Sequence, residues 1–362
     1  MSASSSDSKE DADDALGAAR SLLFNDQHRA MNNQAQLEQE ILDPNMQEME
    51  VLSKTRRKRL NQRVSSGIGF GASQGESLTK TEVETKLLAS QVREDGVVLI
   101  PGVLTKETAA SLRECILNEI EVMRDAIRRD PSLSFSLFYV PAEIHFSTPR
   151  GYVLLPFRDS HSVLRETGTS PIVTAARELL APGTPLAGLF GETCDGADSQ
   201  LYDFCALRTE PGAARQVVHS DTPHQEIPGL FCAFVALQDV TMEMGGTMFI
   251  PKTHIQNTER KKFDSGNSNE MLRAAKPKYT MLKAGDAVFF DMRTLHAGLA
   301  NLQDGGAQRI LLAITFRNLK AKEALGHRPN LRPGYVGQFT LGTFQEELAS
   351  KYPFSAIGDG LS

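Results

Sequence analysis

Residues 284–298 read Ala-Gly-Asp-Ala-Val-Phe-Phe-Asp-Met-Arg-Thr-Leu-His-Ala-Gly. A turn signal opens this stretch, an apolar run of strand character follows, and a histidine stands just beyond that run. Further short β-type runs, separated by glycine-containing turns, occupy residues 201–207, 217–218, 231–240, 247–250 and 310–316. Since helical patterns precede these runs, we predict a mainly β fold with flanking helices, built as a double-sheet jelly roll.

The flanking helices are expected earlier in the chain. A short apolar strand is predicted at 97–100, and Thr105 after it is a suitable helix N-cap. Apolar residues then recur at spacings of four, four, three and four, at Leu112, Ile116, Ile120, Met123 and Ile127. This spacing predicts an amphipathic helix that packs against a sheet. A further helix is predicted near 171–180.

The chain divides by composition near residue 80. Residues 1–80 are predicted to be a disordered or helical N-terminal arm with a linker, and residues 81–362 a catalytic domain. Residues 1–20 have few large apolar side chains, which predicts disorder. Residues 27–63 could be helical on either side of Pro44, and the glycine-rich stretch 65–77 is typical of a linker.

The charge distribution argues against a nucleic-acid partner. The formal net charge is −6, and residues 51–63 carry six basic side chains without an acidic one. Such a run is more often a solvated arm than a binding site, and the part of the chain after residue 63 carries a net charge of about −4, with no sign of a basic groove. We therefore expect a small-molecule substrate and no nucleic acid, with the oligomeric state left open.

The expected location is intracellular and cytoplasmic, with import into an organelle left open. The four cysteines stand singly without CxxC spacing, as is typical of reduced thiols. No apolar run reaches the roughly 18 residues that a membrane span needs. No secretory signal or peroxisomal tripeptide is visible at the ends of the sequence.

The chemistry is expected at His219-Ser220-Asp221, directly after the strand-like residues 216–218. In an extended chain, residues two apart point to the same side, so the imidazole and the carboxylate are presented together. His296, at the end of the 284–298 stretch, is the predicted third ligand. Two histidines and one carboxylate on one face of Fe(II) leave three positions open for oxygen chemistry.

Arg309 follows His296 by thirteen residues, at the start of a predicted strand. A guanidinium pairs bidentately with a carboxylate, so Arg309 suits the distal carboxylate of a dicarboxylic acid. An HxD motif alone is a weak signal. The combination of HxD, a distant histidine and this arginine is a strong one.

These residues lie within a wider likeness to the phytanoyl-CoA dioxygenase family, over roughly residues 92–318. The segments that resemble the family's blocks are 94–107, 210–223 (Glu-Pro-Gly-Ala-Ala-Arg-Gln-Val-Val-His-Ser-Asp-Thr-Pro), 245–254 (Gly-Gly-Thr-Met-Phe-Ile-Pro-Lys-Thr-His) and 284–301. The resemblance implies a double-stranded β-helix core, Fe(II), O₂ and 2-oxoglutarate as cosubstrate. It implies no catalytic side-chain acid or base beyond the metal centre.

By the same resemblance, Arg309 matches the residue that holds the C5 carboxylate of 2-oxoglutarate, and Phe234 matches an aromatic wall of that pocket. One position departs from the family pattern: Gly298 stands where a serine can assist the same carboxylate. A hydroxyl from Tyr152 or Tyr202 is the expected replacement. Asp221 argues against a halogenase, since related halogenases have a small residue at this position.

Several neighbouring residues have less decisive roles. Gln216 is expected to line the cosubstrate pocket, while strand alternation should point some of Gln216, Arg208 and Arg215 outward. His224 is too close to His219 in sequence to supply a ligand from another strand. His254 is expected to order its loop by hydrogen bonding rather than to bind metal.

Two functions from different classes remain open at this point. The favoured one is an Fe(II)- and 2-oxoglutarate-dependent dioxygenase that hydroxylates a small organic substrate and releases succinate and CO₂. The alternative is a catalytically silent metal-binding or sensor protein of the same fold, which recruits partners through its charged N-terminal arm. Formation of succinate would separate the two.

Overall fold

The structure, a computed structural model, describes part of the chain: residues 31, 33–42, 79–130, 139–141, 149–157, 170–322, 324–326 and 328–357. The predictions for residues 1–20 and for the linker 65–77 lie outside the described residues. The same holds for residues 43–63 of the N-terminal arm. Residues 33–42 are helical, as predicted for the sequence before Pro44.

The larger of two sheets has seven strands, and every adjacent pair is antiparallel. Its strands are β1 (Val97–Ile100), β2 (Tyr139–Pro141), β3 (Arg150–Leu154), β4 (Gln200–Thr209), β5 (Leu230–Ala236), β8 (Ala287–Asp291) and β10 (Arg309–Arg317). They are ordered β1-β8-β5-β10-β4-β3-β2. The runs predicted at 201–207, 231–240, 287–291 and 310–316 thus become the central strands.

The smaller sheet is antiparallel and has the order β7-β6-β9. Its strands are β6 (Thr247–Phe249), β7 (Lys278–Thr280) and β9 (His296–Gly298). The run predicted at 217–218 is not a regular strand. Instead, His219 forms an isolated antiparallel bridge with His296, which extends the small sheet by one edge segment.

Besides the helical residues 33–42, the structure describes seven α-helices after residue 79. They are α1 (Lys80–Asp95), α2 (Lys106–Arg129), α3 (Pro171–Leu180), α4 (Pro185–Thr193), α5 (Thr258–Asp264), α6 (Ser268–Ala274) and α7 (Leu341–Ala349). Thr105 caps α2, with its hydroxyl accepting from the amide of Thr108, and the predicted apolar face of α2 is buried up to Met123. None of the described helices is long and apolar enough to cross a membrane.

Alternation along the large sheet separates two apolar layers. Residues such as Phe204, Phe289 and Ile314 face the helices. Their neighbours face the small sheet, where Phe234 and Phe290 join Phe249 of β6 in one cluster. We call this second side the interior face, because it lies between the two sheets. The molecule is therefore mostly antiparallel sheet with flanking helices, and its interior face is available to line a site.

Candidate metal centre and cosubstrate pocket

His219, Asp221 and His296 are brought together where the edge segment 216–221 meets β9. Their candidate ligand atoms all lie within 4.8 Å of one another. Nε2 of His219 is 3.6 Å from one carboxylate oxygen of Asp221, and Nε2 of His296 is 3.3 Å from the other. His219 and His296 exchange both backbone hydrogen bonds, at 2.9 and 2.8 Å. The antiparallel bridge therefore sets the spacing of the two imidazoles.

The hydrogen bonds of the two imidazoles suit metal binding. Nδ1 of His219 is 2.8 Å from the carbonyl of Val217, and Nδ1 of His296 is 2.9 Å from the carbonyl of Thr294. A carbonyl only accepts, so each Nδ1 carries a proton, and in the neutral ring each Nε2 turns its lone pair towards Asp221. Two neutral imidazoles and a carboxylate are the donor set that Fe(II) takes in oxygen-activating enzymes. The residues present thus fit the implied metal.

The electrostatics of the two histidines differ. Burial works to lower the pKa of His219, but the hydrogen bond and the charge of Asp221 outweigh it, so that this pKa is raised above 6.5. Burial dominates at His296 and lowers its pKa in spite of Asp221. Asp221 therefore compensates positive charge at the His219 side of the cluster, where an imidazolium or a bound cation would lie.

Arg309 lies on the interior face, in one row with two residues of neighbouring strands. Thr209 of β4 is its partner in register, and Arg150 of β3 is the partner of Thr209 on the other side. The Thr209 hydroxyl accepts from Nη2 of Arg309 at 3.2 Å. Arg150 and Arg309 are both only 1% exposed. Two buried arginines thus stand on either side of Thr209 in this row.

No anion in the described ranges of the chain pairs with the charge of Arg309. Its Nη1 donates to the carbonyls of Gly245 and Gly246, and its Nε has no hydrogen-bond partner in the described part of the chain. Burial, and after it the charge of Arg150, lower the pKa of Arg309 to about 9. A carboxylate bound here would offset both effects, because it would pair with a desolvated cation.

Phe234 and Gln216 occupy different parts of this region. Phe234 is buried on the interior face, opposite Ala313 of β10. Its ring centroid is 5.2 Å from that of Phe290, which in turn lies 5.3 Å from the imidazole of His296. Gln216 lies on the edge segment, where its side-chain oxygen accepts from the amide of Gly298 at 3.0 Å. Gln216 is thereby anchored to β9 at Gly298, which lies two residues after His296.

The departure at Gly298 has a structural counterpart. A Cβ at this position would lie 2.7 Å from Oε1 of Gln216 and 3.5 Å from the guanidinium carbon of Arg150. The two side chains occupy the space of the missing serine. The hydroxyl beside Arg309 belongs to Thr209. Tyr152, one of the two expected replacements, lies further along the interior face. Burial, and after it the charge of Asp221, raise the pKa of Tyr152.

Tyr202, the other expected replacement, lies towards the opposite end of β4, where burial and then Asp203 raise its pKa to about 12. Neither Thr209 nor Arg150 was predicted from the sequence as a site residue. Cross-strand register, which places them beside Arg309, is not readable from local spacing.

We expect Gly298→Ser to lower the free energy of unfolding by about 1 kcal/mol, since Gln216 must give up its hydrogen bond to make room. In the Gln216→Ala background, the same change should cost less. Urea unfolding of the two single variants, the double variant and the wild type measures this coupling. Strictly additive effects would contradict the steric relation between Gly298 and Gln216.

The other candidate residues lie outside the cluster. Arg208 forms an ion pair with Glu210 on the helix-facing side of β4, and Arg215 contacts Met248 on the outer side of β6. Neither lines the interior face. His254 is buried, and its Nε2 is 3.1 Å from the carbonyl of Arg93, which joins its loop to α1 as expected. His224 is partly buried beside Arg293 and does not belong to the ligand cluster.

Ser220, the middle residue of the HxD motif, is also held in place. Its partner is Arg260, which was not predicted from the sequence as a site residue. Arg260 of α5 is buried and donates from Nη2 to the Ser220 hydroxyl at 3.1 Å. It also donates to the carbonyls of Thr253 and Arg293, and its Nε pairs with Asp264. The segment 255–283, which carries no readable motif, thus contributes an anchor for the ligand-bearing turn.

Comparison with solved structures finds distant likenesses. SnoK, a non-heme α-ketoglutarate-dependent carbocyclase from nogalamycin biosynthesis, is 20% identical over 75% of this chain and 95% of its own, with a TM-score of 0.46. The epimerase SnoN in complex with Fe³⁺, α-ketoglutarate and nogalamycin RO is 19% identical over 68% and 94%, with a TM-score of 0.40. HygX from Streptomyces hygroscopicus with nickel and 2-oxoglutarate bound is 16% identical over 70% and 96%, with a TM-score of 0.42.

Comparison with protein families gives a match that covers more than half of the chain. The description of that family is phytanoyl-CoA dioxygenase (PhyH), and the match spans residues 92–309. It includes all three candidate metal ligands, and it ends on Arg309.

Proposed function

The chain belongs to the phytanoyl-CoA dioxygenase family of Fe(II)- and 2-oxoglutarate-dependent oxidoreductases, and on that premise we propose that it hydroxylates a small organic substrate. We assign the iron ligands to His219, Asp221 and His296. The observation that carries this assignment is the arrangement of their three ligand atoms within 4.8 Å, with both Nε2 atoms turned towards the carboxylate. When bound, iron and 2-oxoglutarate supply the oxidising chemistry, with O₂ as oxidant and succinate and CO₂ as co-products.

Arg309 is assigned to the C5 carboxylate of 2-oxoglutarate. Its guanidinium is buried, has no compensating anion among the residues that the structure describes, and lies on the interior face that also carries Phe234. Thr209 and Arg150 stand in the same row, so they are assigned to the same carboxylate as a hydroxyl donor and a second cation. A dicarboxylate would pair with this end and would reach towards His219, whose pKa the charge of Arg150 affects.

The remaining pocket residues orient and shield the cosubstrate. Phe234 is proposed as an apolar wall, continuous through Phe290 with the His296 imidazole. Gln216 is proposed as a lining residue whose side chain is held by the Gly298 amide. Buried apolar residues around these groups exclude water, which strengthens the electrostatic interactions of the site. No side-chain acid or base is needed in this scheme.

We also assign the two-sheet core to the double-stranded β-helix, the jelly roll of cupin-like proteins. Antiparallel pairing throughout both sheets supports this assignment, as does the shared cluster of Phe234, Phe249 and Phe290 between them. The His219–His296 bridge lies at the small sheet, and Arg309 lies on the large one.

Anaerobic addition of Fe(II) and 2-oxoglutarate tests the proposal. We expect a weak visible charge-transfer band at one equivalent of each, because 2-oxoglutarate chelates iron through two adjacent positions, which a site of two histidines and one carboxylate leaves open. The 2-oxo acid and the metal added separately are the controls. Absence of the band at every ratio would reject the proposal, whereas a band without succinate formation over a broad panel of small molecules would favour the silent metal-binding protein.

A further inference from the structure

The strand segment that carries His219 pairs with β9 along one edge, and no described strand pairs with its other edge. On one side, the amide of His219 donates to β9, at the carbonyl of His296. In an extended segment the next amide points the opposite way, so the N–H of Val218 faces away from β9. No further strand follows on that side among the described residues. The amide of Val218 therefore needs a partner from elsewhere in the chain.

That partner is Glu38 of the helical segment 33–42. Its Oε2 accepts from the Val218 amide at 2.7 Å, and its Oε1 accepts from Nε2 of Gln34 at 3.0 Å. Glu38 is only 3% exposed. A carboxyl group buried to this extent is costly unless its oxygens are hydrogen-bonded, and here both are. The contact is thus a specific one.

Apolar packing keeps segment 33–42 in place. Ala35, Glu38 and Leu42 are its buried residues, at helical spacings of three and four. Leu42 belongs to the cluster on the outer face of the small sheet, together with Val218 and Met248, and its carbonyl accepts from the Tyr279 hydroxyl at 3.3 Å. The segment therefore covers the back of the small sheet, opposite the metal cluster.

A short series of hydrogen bonds links Glu38 to the metal ligand. Glu38 holds the amide of Val218, and the carbonyl of the preceding Val217 holds Nδ1 of His219. Movement of the 217–218 peptide would turn the His219 ring and its Nε2. The Val217 carbonyl is a partner that orients a ligand without touching the metal, and loss of such a partner typically costs 10–100-fold in metal affinity or activity. Glu38 acts one hydrogen bond further out, so we expect an effect at the lower end of this range.

We propose that Glu38 is a positioning residue for the iron ligand His219, and that segment 33–42 is accordingly part of the metal-binding unit rather than of a free arm. The proposal rests on the proposed iron site. It concerns metal affinity in the full-length chain and does not depend on the organic substrate.

Titration of the full-length, metal-free protein with Co(II), followed by its visible d–d bands, tests the proposal. We expect Glu38→Ala to weaken Co(II) binding about tenfold and to alter the band shape. Glu38→Gln keeps an oxygen acceptor and should restore most of the affinity. Glu40→Ala, the same change on the exposed side of the same segment, is the matched control and should bind as the wild type does.

The melting temperature of each metal-free variant separates positioning from folding. A Glu38→Ala protein that binds Co(II) as tightly as the wild type, with the same spectrum, would overturn the positioning role. So would a Glu38→Gln protein as impaired as Glu38→Ala, because the acceptor oxygen would then be irrelevant. Failure of the wild type to bind Co(II) would instead reject the metal site itself, and this proposal with it.

Discussion

Replacing His296 with alanine should abolish 2-oxoglutarate turnover. The change removes one of three ligands from a cluster in which His296 is the most deeply buried member. Removing mere supporting residues of a metal site costs 10–100-fold in affinity, so loss of a ligand should weaken Fe(II) binding by at least about 100-fold. Anaerobic Fe(II) titration and succinate formation measure the two effects.

His224→Ala is the matched control for this prediction. It removes an imidazole that lies within five residues of His219 in sequence but does not belong to the ligand cluster. We expect this variant to keep the wild-type affinity for Fe(II). If His224→Ala lost the metal while His296→Ala retained it, the assignment of the third ligand would be wrong.

Replacing Arg309 with glutamine should raise the KM for 2-oxoglutarate by on the order of 100-fold. Truncating one partner of a buried, hydrogen-bonded charge pair costs about 2–5 kcal/mol. The wild type should prefer 2-oxoglutarate strongly over 2-oxopentanoate, which has no distal carboxylate, and the variant should lose that preference. Release of CO₂ from each 2-oxo acid, measured at saturating Fe(II), gives both values.

Arg208→Gln controls for the loss of a guanidinium on a neighbouring strand. Arg208 faces the other side of the sheet and pairs with Glu210 at a partly exposed position, where an ion pair contributes little. The KM of the Arg208→Gln variant for 2-oxoglutarate should stay within about twofold of the wild-type value. An unchanged discrimination between the two 2-oxo acids in Arg309→Gln would place the distal carboxylate elsewhere.

Local patterns in the sequence were sufficient for most of the fold. The spacing of Leu112, Ile116 and Ile120 predicted the buried face of α2, and Thr105 caps that helix. The apolar runs of β4, β5, β8 and β10 were found within a few residues of their observed ends. These features depend on neighbours only a few positions away, where side-chain periodicity and backbone geometry are directly linked. The three-residue strands β2, β7 and β9 were missed, since so few residues show no period, whereas β6, which is equally short, was predicted within the run 247–250.

Only the part of the candidate site that depends on local sequence neighbours could be predicted. His219 and Asp221 lie two residues apart, so their shared side follows from extended geometry alone. Thr209 and Arg150 are neighbours of Arg309 only across strands, and Arg260 reaches Ser220 from a helix without a recognisable motif. Contacts of this kind depend on register and packing between distant segments, which leave no local signal.

The sequence by itself determined the chemical character of the protein, because ligand types, their order and an arginine after the distal histidine are properties of the chain. Only the tertiary structure decided how that chemistry is held. The His219–His296 bridge, the row of Arg150, Thr209 and Arg309, and the contact of Glu38 with Val218 each join residues far apart in sequence. These residues come into contact only when the core has packed, because that packing decides which strand edges and sheet faces lie next to each other.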